Sequence, residues 1–360
     1  MMRFTFAVAV VGAALLLAAV QPVQAEFRTE EPFFTEEDLS LAIDAMTADA
    51  LASEAPPAES GAAAGAGDDA HPAEGGAIEP PIQKPPPLPL HNLEGTCGGV
   101  SSPMAYLCNP GPPGTEIAGP TFSTTFLKAG DKEVQSYALS MTFHRRIEFS
   151  YAANRVHLGD WPKDVRNTTG LRVGRNHLWV HNLNLRGMIV EETPQIPAVT
   201  AGVHFKINEG VESINHRVRY VPRNLAGYER ASGAEYTLSV AKTFPKLLFD
   251  RPVLANVGLR WTQAAYAGWL GFGNEWNTNI EAHVAWVPFD WLAIAYEYKE
   301  MNSPYKRVRH LVREEDDWHT ILVAWIINEH CTLAGAWGHL GAVVNHHEDC
   351  AWGVQFKYEF

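Results

Sequence analysis

The segment from His346 to Cys350 brings together side chains that can bind a metal ion: two imidazoles, two carboxylates and a thiol. Zinc and copper require three or four such groups to converge on one point, at about 2.0–2.3 Å from the metal. Adjacent side chains such as His346 and His347 point to opposite sides of an extended chain, which opposes convergence. Four further histidines precede the segment, namely His310, His319, His330 and His339. We expect a solvated loop and no cofactor, with His346 and His347 as the residues that a metal would use if one bound.

Glu281, His283 and Glu297 could perform acid and base chemistry if two predicted strands place them face to face. The alternative is that they line a polar interior beside Arg260 and Lys299, since a barrel needs such an interior whatever its chemistry. No serine-hydrolase elbow, phosphate-binding loop, zinc-protease helix or dinucleotide fingerprint occurs in the sequence. We therefore predict no catalytic residue and keep hydrolysis only as a third functional hypothesis.

Residues 1–25 have the pattern of a secretory signal peptide. Arg3 precedes an apolar run from Phe4 to Val20, and a small residue, Ala25, stands at the expected cleavage position. No other run approaches the roughly 18 apolar residues that a membrane helix needs. The sequence thus predicts export from the cytoplasm, with a mature chain that begins near Glu26.

Four cysteines follow the signal, in a chain bound for an oxidising compartment where disulfides form. Cys97 and Cys108 flank a short stretch rich in Gly and Pro and are the predicted disulfide. Cys331 and Cys350 fall at opposite ends of neighbouring predicted strands, so we expect them to remain unpaired thiols.

The net charge of −13 belongs mainly to one segment of the chain. Residues 26–91 contain 14 acidic and two basic side chains, whereas the remainder from residue 92 onward is nearly neutral. Residues 26–54 predict a short capped helix, and the Pro-, Ala- and Gly-rich residues 55–91 predict a disordered linker. This extension either presents its helix to a periplasmic protein or serves as a spacer. An acidic chain binds nucleic acid poorly, so no such partner is expected.

The last nine residues alternate large apolar side chains with Gly, Gln, Lys and Glu. Five residues share the apolar face of this stretch: Trp352, Val354, Phe356, Tyr358 and Phe360. A strand with one apolar face and a terminal aromatic residue is typical of the strand that closes an outer-membrane barrel. We therefore assign this stretch to barrel closure and to recognition by the barrel assembly machinery.

From residue 120 onward the same period of two recurs in twelve runs, each long enough for a tilted strand to cross an apolar layer of about 25 Å. The predicted strands are 120–127, 134–143, 146–155, 179–190, 198–207, 234–243, 253–262, 279–287, 291–299, 318–327, 331–339 and 351–360. Short connections such as 244–252 alternate with long ones such as 263–278, and only the outer connection 128–133 is short where a long one is expected. This alternation distinguishes a membrane barrel from a soluble sandwich. Residues 120–360 are thus predicted to form an all-β, antiparallel transmembrane barrel of about 12 strands.

The two faces of the predicted strands differ as a membrane barrel requires. Two belts of lipid-facing aromatic residues result: Trp179, Tyr236, Trp261 and Tyr298 at the outer ends, and Phe244, Trp286, Trp325, Tyr358 and Phe360 at the periplasmic ends. The predicted lumen-lining residues are His204, Lys206, Arg260, Glu281, His283, Glu297, Lys299, Gln355, Lys357 and Glu359. His181 falls on the lipid face, which indicates either a bulge or a one-residue error in the predicted register.

Six short blocks within residues 93–360 occur in the order and spacing of a known bacterial family. They are Glu94 to Gly99 with Pro103, Tyr236 to Lys242, Leu270 to Gly273, Ala295 to Tyr298, Glu315 to Trp318 and Val323 to Trp325. Together they resemble the family labelled domain of unknown function 3034. The resemblance implies an outer-membrane protein without an established activity, and it transfers no catalytic residue. The acidic, Pro-rich extension and the four cysteines depart from the family pattern.

The leading functional hypothesis is an outer-membrane pore for small polar solutes. Twelve strands spaced about 4.8 Å apart and tilted about 40° enclose a lumen of roughly 10–12 Å between side chains. The Gly- and Pro-rich residues 92–119 either fill this lumen as a plug or hang in the periplasm. The alternative is a non-catalytic barrel, embedded in outer-membrane lipid, that anchors residues 26–54 for a periplasmic partner in envelope assembly, export or polysaccharide handling.

Overall fold

The structure is a computed structural model that describes residues 90–218, 227–305 and 311–360. The predicted signal peptide, the acidic segment 26–54 and nearly all of the linker therefore lie outside the described residues, as does His310. Within the described part of the chain, no helix has both the length and the apolar character to cross a membrane.

Twelve of the sixteen strands in the described residues form one closed antiparallel barrel. In chain order the strands are β1 (Leu90–His91), β2 (Cys97–Gly98), β3 (Thr121–Ala129), β4 (Lys132–Phe143), β5 (Ile147–His157), β6 (His177–Val190), β7 (Ala198–Glu209), β8 (Ser232–Leu248), β9 (Arg251–Ala264), β10 (Phe272–Phe289), β11 (Leu292–Lys299), β12 (Trp318–Ile326), β13 (Cys331–His339), β14 (Gly341–Val343), β15 (His346–Glu348) and β16 (Ala351–Glu359). The barrel consists of β3 to β13 and β16, while β1 pairs with β2 and β14 pairs with β15. The predicted fold class is confirmed.

The C-terminal strand β16 closes the barrel. Val354 lies opposite Gly335 of β13 on one side and opposite Phe126 of β3 on the other. The remaining barrel strands pair with their neighbours in chain order. Because a closed sheet leaves no unpaired edge, every wall strand has its backbone groups bonded on both sides, as the interior of a membrane demands.

Two predicted connections are shorter in the structure, because backbone pairing continues past the alternating residues. The predicted turn 244–252 contracts to Phe249 and Asp250, which adopt the left-handed conformation with φ of 52° and 55°. The predicted loop 263–278 contracts to 265–271, since β10 begins at Phe272 and has a register shift before Asn277. Polar side chains can continue a strand beyond the apolar layer, so side-chain alternation underestimates strand length there.

The outer surface of the cylinder is apolar. Leu139, Phe149, Leu185, Ile321 and Val354 are each 45–53% exposed and lie on strands distributed around the barrel. Their neighbours in sequence are mostly buried, so the two faces alternate with period two. A closed barrel with a continuous apolar exterior is the β-structure that spans outer membranes, because its only favourable surroundings are lipid.

The two rims of the barrel differ in their connections. The turns after β4, β8, β10 and β12 are short, whereas the connections after β5, β7, β11 and β13 are long. Short turns face the periplasm in outer-membrane barrels, so we name the rims the short-turn rim and the long-loop rim. None of the nine aromatic side chains predicted for the belts is buried, in agreement with lipid-facing positions near both rims.

His181 lies on the lipid face as the sequence placed it, and the suggested bulge or register error is wrong. The pairing of β6 with β5 is regular there, with His181 opposite Ala153. The imidazole Nδ1 is 2.7 Å from the Tyr151 hydroxyl, and Nε2 is 3.6 Å from Glu209. The ring also stacks beside Trp179. His181 therefore keeps its polar contacts at the interface level, where rings with a polar tip are stable.

The long connections fold over the mouth of the barrel into a cap with its own apolar core. Helix α1 (Trp161–Thr169) buries Trp161 and Val165, one turn apart, and helix α2 (Val211–Val218) buries its first residue. Trp161 Nε1 donates a hydrogen bond to the carbonyl of Leu311 at 2.7 Å. Trp161 lies in the β5–β6 connection and Leu311 in the β11–β12 connection, and these two connections start on opposite sides of the barrel. We use the name cap for the described parts of these connections: 158–176, 210–218, 265–271, 300–305, 311–317 and 340–350.

Candidate functional site: the plugged lumen

Residues 90–108 lie inside the barrel and are called the plug below. All of them are buried except Tyr106, which is partly exposed. The plug therefore begins at least two residues before the predicted boundary at residue 92, and Leu90 and His91 do not belong to the linker to which the sequence assigned them. Residues 109–120 return along the short-turn rim, where Ile117 pairs with Phe143, and lead into β3.

The plug is a compact loop that is shaped by its own sequence. Its two short strands pair Leu90 with Gly98 and His91 with Cys97. Between them, the Asn92 side chain accepts hydrogen bonds from two backbone N–H groups of the turn, at 3.0 Å each. Cys97 and Cys108 form the predicted disulfide, with Cα atoms 5.2 Å apart. The disulfide closes most of the plug into one covalent unit.

Glu297 of β11 holds the tip of the plug. Its carboxylate accepts hydrogen bonds from the backbone N–H groups of Val100, Ser101 and Ser102 at 2.8–3.0 Å. The hydroxyls of Ser101 and Ser102 add two more, at 3.0 and 2.7 Å. A Cβ at Gly99 would lie 2.8 Å from the same carboxylate, so this close approach requires glycine. The plug backbone thus forms a nest of donors around one wall anion.

Glu94 is the only charged residue of the plug. Its carboxylate lies within a ring of charged side chains that project from the wall strands. It contacts Lys206 at 2.8 Å and Arg260 at 3.0 Å. Arg260 also pairs with Glu235 and Glu281, each at 2.6 Å. Burial by itself would raise the pKa of the Glu94 carboxyl, but Arg260, Lys206 and Lys299 hold that pKa well below its ordinary value. Glu94 is therefore ionised in the closed barrel.

The charge balance of this ring depends on the plug. The wall contributes three cations, from Lys206, Arg260 and Lys299, and two anions, from Glu235 and Glu281. These five wall groups carry one net positive charge, which Glu94 neutralises. Because an uncompensated buried charge is costly, plug and wall form one electrostatic unit.

Arg186 and Glu148 hold the returning arm of the plug nearer the short-turn rim. The guanidinium meets the Glu148 carboxylate in two bonds of 3.0 Å and donates to the carbonyls of Met104 at 2.6 Å and Tyr106 at 3.0 Å. Glu148 also accepts from the N–H of Cys108 at 2.7 Å. Sequence reasoning missed both residues, although the inward parity of β5 and β6 would have indicated them.

All ten residues predicted to line the lumen are buried inside the barrel. Lys299 donates to the carbonyl of Ser101 at 3.0 Å, and Gln355 exchanges two hydrogen bonds with the backbone of His91. His204 contacts Asn184 and Thr237, while Lys357 and Glu359 pair with each other. These residues therefore face a filled interior, and several of them bind the plug that fills it.

Two small cavities of about 10 Å³ each border the plug, lined in part by Leu93, Val100, Leu127 and Trp318. A cavity of this size holds about one water molecule. Leu93 and Val100 also belong to the same apolar cluster as Trp161 of the cap, so the plug and the cap share one apolar core.

The sequence of residues 89–357 matches the family model described as Protein of unknown function (DUF3034). The chain belongs to this family. The matched region begins just before the plug and ends within β16, so the plug and the barrel both lie in the DUF3034 region. Comparison with curated proteins finds no match.

Several solved structures resemble the DUF3034 barrel. The KdgM porin has 8% sequence identity and a TM-score of 0.40, covering 67% of this chain and 99% of that chain. The NanC porin has 8% identity and a TM-score of 0.41, covering 67% and 98%. Outer membrane phospholipase A from Escherichia coli has 8% identity and a TM-score of 0.36, covering 68% and 99%. At these values the similarity concerns barrel architecture and does not extend to function.

The residues considered for acid and base chemistry lie side by side in the wall of the DUF3034 barrel. His283 is opposite Glu297 in the pairing of β10 with β11, and its Nδ1 is 3.9 Å from the carboxylate. Glu281, His283 and Glu297 are each at most 1% exposed. Glu297 is occupied by the plug and Glu281 by Arg260. The geometry thus uses these two carboxylates to hold the closed lumen.

The metal candidates and the remaining cysteines lie near the two rims. His346 contacts Asp164 of α1 at 3.3 Å, while His347 faces Asp316 and Asp349, so the adjacent histidines diverge. Cys331 and Cys350 are free thiols, as predicted. Cys350 accepts a hydrogen bond from the indole of Trp337 at 3.2 Å.

Proposed function

We propose that this protein is an outer-membrane channel for small polar solutes that is closed at rest, with residues 90–108 as its gate. The observation that supports this most is the polar character of the contact between plug and wall, centred on Glu94 and Glu297. Apolar packing would fill a barrel at least as stably as buried ion pairs do. Polar contacts, however, can be replaced by water when the plug moves.

The channel does not open by thermal motion alone in this proposal. A hydrogen bond to a charged group contributes about 1.5–3 kcal/mol, and Glu297 alone accepts hydrogen bonds from five donor groups of the plug. Opening therefore requires a mechanical force on the plug or a partner that binds and displaces it. Residues 26–89 directly precede the plug in the chain. A periplasmic protein that binds the acidic residues 26–54 would therefore act on the plug through the polypeptide that joins them.

Conductance in planar bilayers tests the proposal. Wild-type protein is expected to conduct rarely, while the double variant Glu94→Gln with Glu297→Gln should open frequently, because both plug anchors lose their charge at constant size. Glu133→Gln is the matched control, since Glu133 pairs with Lys128 in a half-exposed ion pair outside the lumen. Heat-modifiable gel mobility verifies that each barrel is folded.

A second variant keeps the test decisive if the double substitution loosens the plug too little. Deletion of residues 26–108 in a chain that also carries Trp161→Ala, which loosens the cap, should leave a conducting barrel, and addition of a peptide spanning 90–108 with its disulfide should reduce the current. Folded barrels that stay silent in both variants would overturn the channel proposal. They would favour the alternative, a closed barrel that anchors residues 26–54 for a periplasmic partner.

A further inference from the structure

Three metal-binding side chains meet at the long-loop rim, outside the plugged lumen. His339 ends β13, His347 lies in β15 and Asp349 precedes β16. Asp349 Oδ1 is 3.0 Å from His339 Nδ1 and 3.0 Å from His347 Nε2. The three ligand atoms all lie within 4.8 Å of one another.

The local fold produces this convergence from residues that are separated in sequence. The hairpin of β14 and β15 folds residues 341–348 back on themselves, with Ala342 opposite His347. Because side chains alternate along β15, His346 turns toward Asp164 and His347 turns toward His339. The centroids of the His339 and His347 imidazole rings are then 5.3 Å apart, with the rings packed edge to face.

We propose that His339, His347 and Asp349 bind one zinc ion at the outer surface of the barrel. Ligand atoms at about 2.0 Å from a tetrahedral zinc are about 3.3 Å from one another, close to the two 3.0 Å contacts of Asp349. Two imidazoles and one carboxylate form a donor set that zinc uses, whereas calcium and magnesium prefer oxygen ligands alone.

The surroundings of the cluster supply the support that metal sites usually have. The second ring nitrogen of His347, Nδ1, lies 3.6 Å from Asp316 Oδ2. Asp316 is itself fixed, because the same oxygen accepts a hydrogen bond from the N–H of Ala342 at 3.0 Å. A carboxylate behind a ligating histidine orients the ring and raises its basicity. Asp316 is therefore a positioning residue for the site.

The site is open to solvent and has room for a further ligand. The side chains of His339, His347 and Asp349 are 36%, 42% and 75% exposed. The neighbouring Cys350 contacts Trp337 instead, so it is not among the ligands. A water molecule completes the coordination in this proposal, as in zinc sites with three protein ligands.

Zinc titration of the purified full-length chain in detergent tests the site. Zinc bound after equilibration is measured by atomic absorption, and affinity by calorimetry. His347→Ala and Asp349→Asn should each lose one tight equivalent of zinc relative to wild type. Asp316→Asn should retain the site with an affinity about 10–100-fold lower. Gel mobility with and without heating shows that each variant keeps its folded barrel.

His346→Ala is the matched control, since it removes an adjacent histidine that faces Asp164. It should bind as much zinc as wild type. The proposal is overturned if wild type binds no zinc at micromolar concentration, or if His346→Ala loses as much zinc as His347→Ala. Neither readout depends on conductance, so this test is independent of the channel proposal.

Discussion

The barrel is closed by two layers that are held by different forces. The plug meets the wall mainly through charges and hydrogen bonds, for which Glu94, Arg186 and Glu297 are the centres. The cap is held by an apolar core around Trp161 and Tyr266, which the plug joins at Leu90, Leu93 and Val100. Separation of an apolar core exposes surface at a cost of about 25 cal/mol per Å², whereas water can replace polar contacts one by one. If the proposed gating is right, the plug is therefore the layer expected to move.

The largest effect is expected when the polar layer loses its central cation. Arg260→Met removes the partner of Glu94, Glu235 and Glu281, and leaves three buried carboxylates with two cations. Breaking a buried ion-pair network in this way costs about 3–5 kcal/mol. We expect the temperature of barrel unfolding, followed by gel mobility, to fall strongly.

Arg251→Met is the matched control on the same strand. Arg251 forms an ion pair with Asp290 at 2.7 Å, but the Asp290 side chain is 81% exposed. Exposed pairs contribute about 0–1 kcal/mol. Equal destabilisation by the two substitutions would contradict the central role of the buried network.

A substitution in the apolar core of the cap should unfold the cap and leave the barrel folded. Trp161→Ala empties a fully buried site in the cap and removes the hydrogen bond to Leu311. Such a truncation costs about 3–5 kcal/mol, enough to unfold the cap while the barrel remains. Proteolysis of the long connections should become fast, with the heated and unheated gel mobilities of the barrel unchanged. Lys163→Ala, on the exposed side of α1, is the control and should leave proteolysis unchanged.

The disulfide of the plug offers an intermediate effect. Cys97 and Cys108 are 11 residues apart in sequence, and removal of a disulfide over a loop of this kind costs about 2–4 kcal/mol. Cys97→Ser with Cys108→Ser should therefore speed hydrogen exchange of the plug amides, measured by mass spectrometry, while cap amides keep their rates. Equal acceleration in plug and cap would show that the two layers do not move separately. The double variant Cys331→Ser with Cys350→Ser removes only free thiols and should match wild type.

The sequence predicted the wall much better than the layers that close it. Wall strands such as β13 repeat an apolar–polar alternation that depends only on local parity, and its ends were predicted to the residue. The plug has no such period. Its contacts join residues far apart in sequence, as Glu94 and Arg260 do across 166 positions. Polar side chains also line lumens that are filled with water. Their presence in the sequence therefore could not distinguish a plugged lumen from an open one.

The candidate sites show the same limit. The inward parity of Glu297 was readable from the sequence, but the five donors that surround it were not. His346 and His347 stood out because they are adjacent, and adjacency is what separates them in the structure. His339 and Asp349 meet His347 only because β14 and β15 form a hairpin. Residue types identify the possible metal ligands, whereas the convergence of those ligands on one point depends on the tertiary fold.

A final prediction is a pH dependence confined to the cap. Glu315 is buried beneath the long connections, and its Oε2 accepts a hydrogen bond from the N–H of Tyr266 at 2.9 Å. Burial raises the pKa of the Glu315 carboxyl to about 8, against an ordinary value of 4.5. In the closed cap the group therefore stays protonated at pH values where it is ionised once the cap unfolds.

This difference determines the direction of the pH effect. Between pH 4.5 and about 8 the unfolded cap loses the proton while the folded cap keeps it, so cap stability falls as pH rises through that window. Above about pH 8 both forms are ionised and stability no longer changes with this group. Glu315→Gln removes the dependence, because the amide is neutral throughout. The ratio of wild-type to variant hydrogen-exchange rates in residues 265–271 should rise from pH 5 to pH 8 and then level off. A constant ratio would show that Glu315 does not couple cap stability to pH, whereas the same rise in the plug amides would show that cap and plug open as one layer.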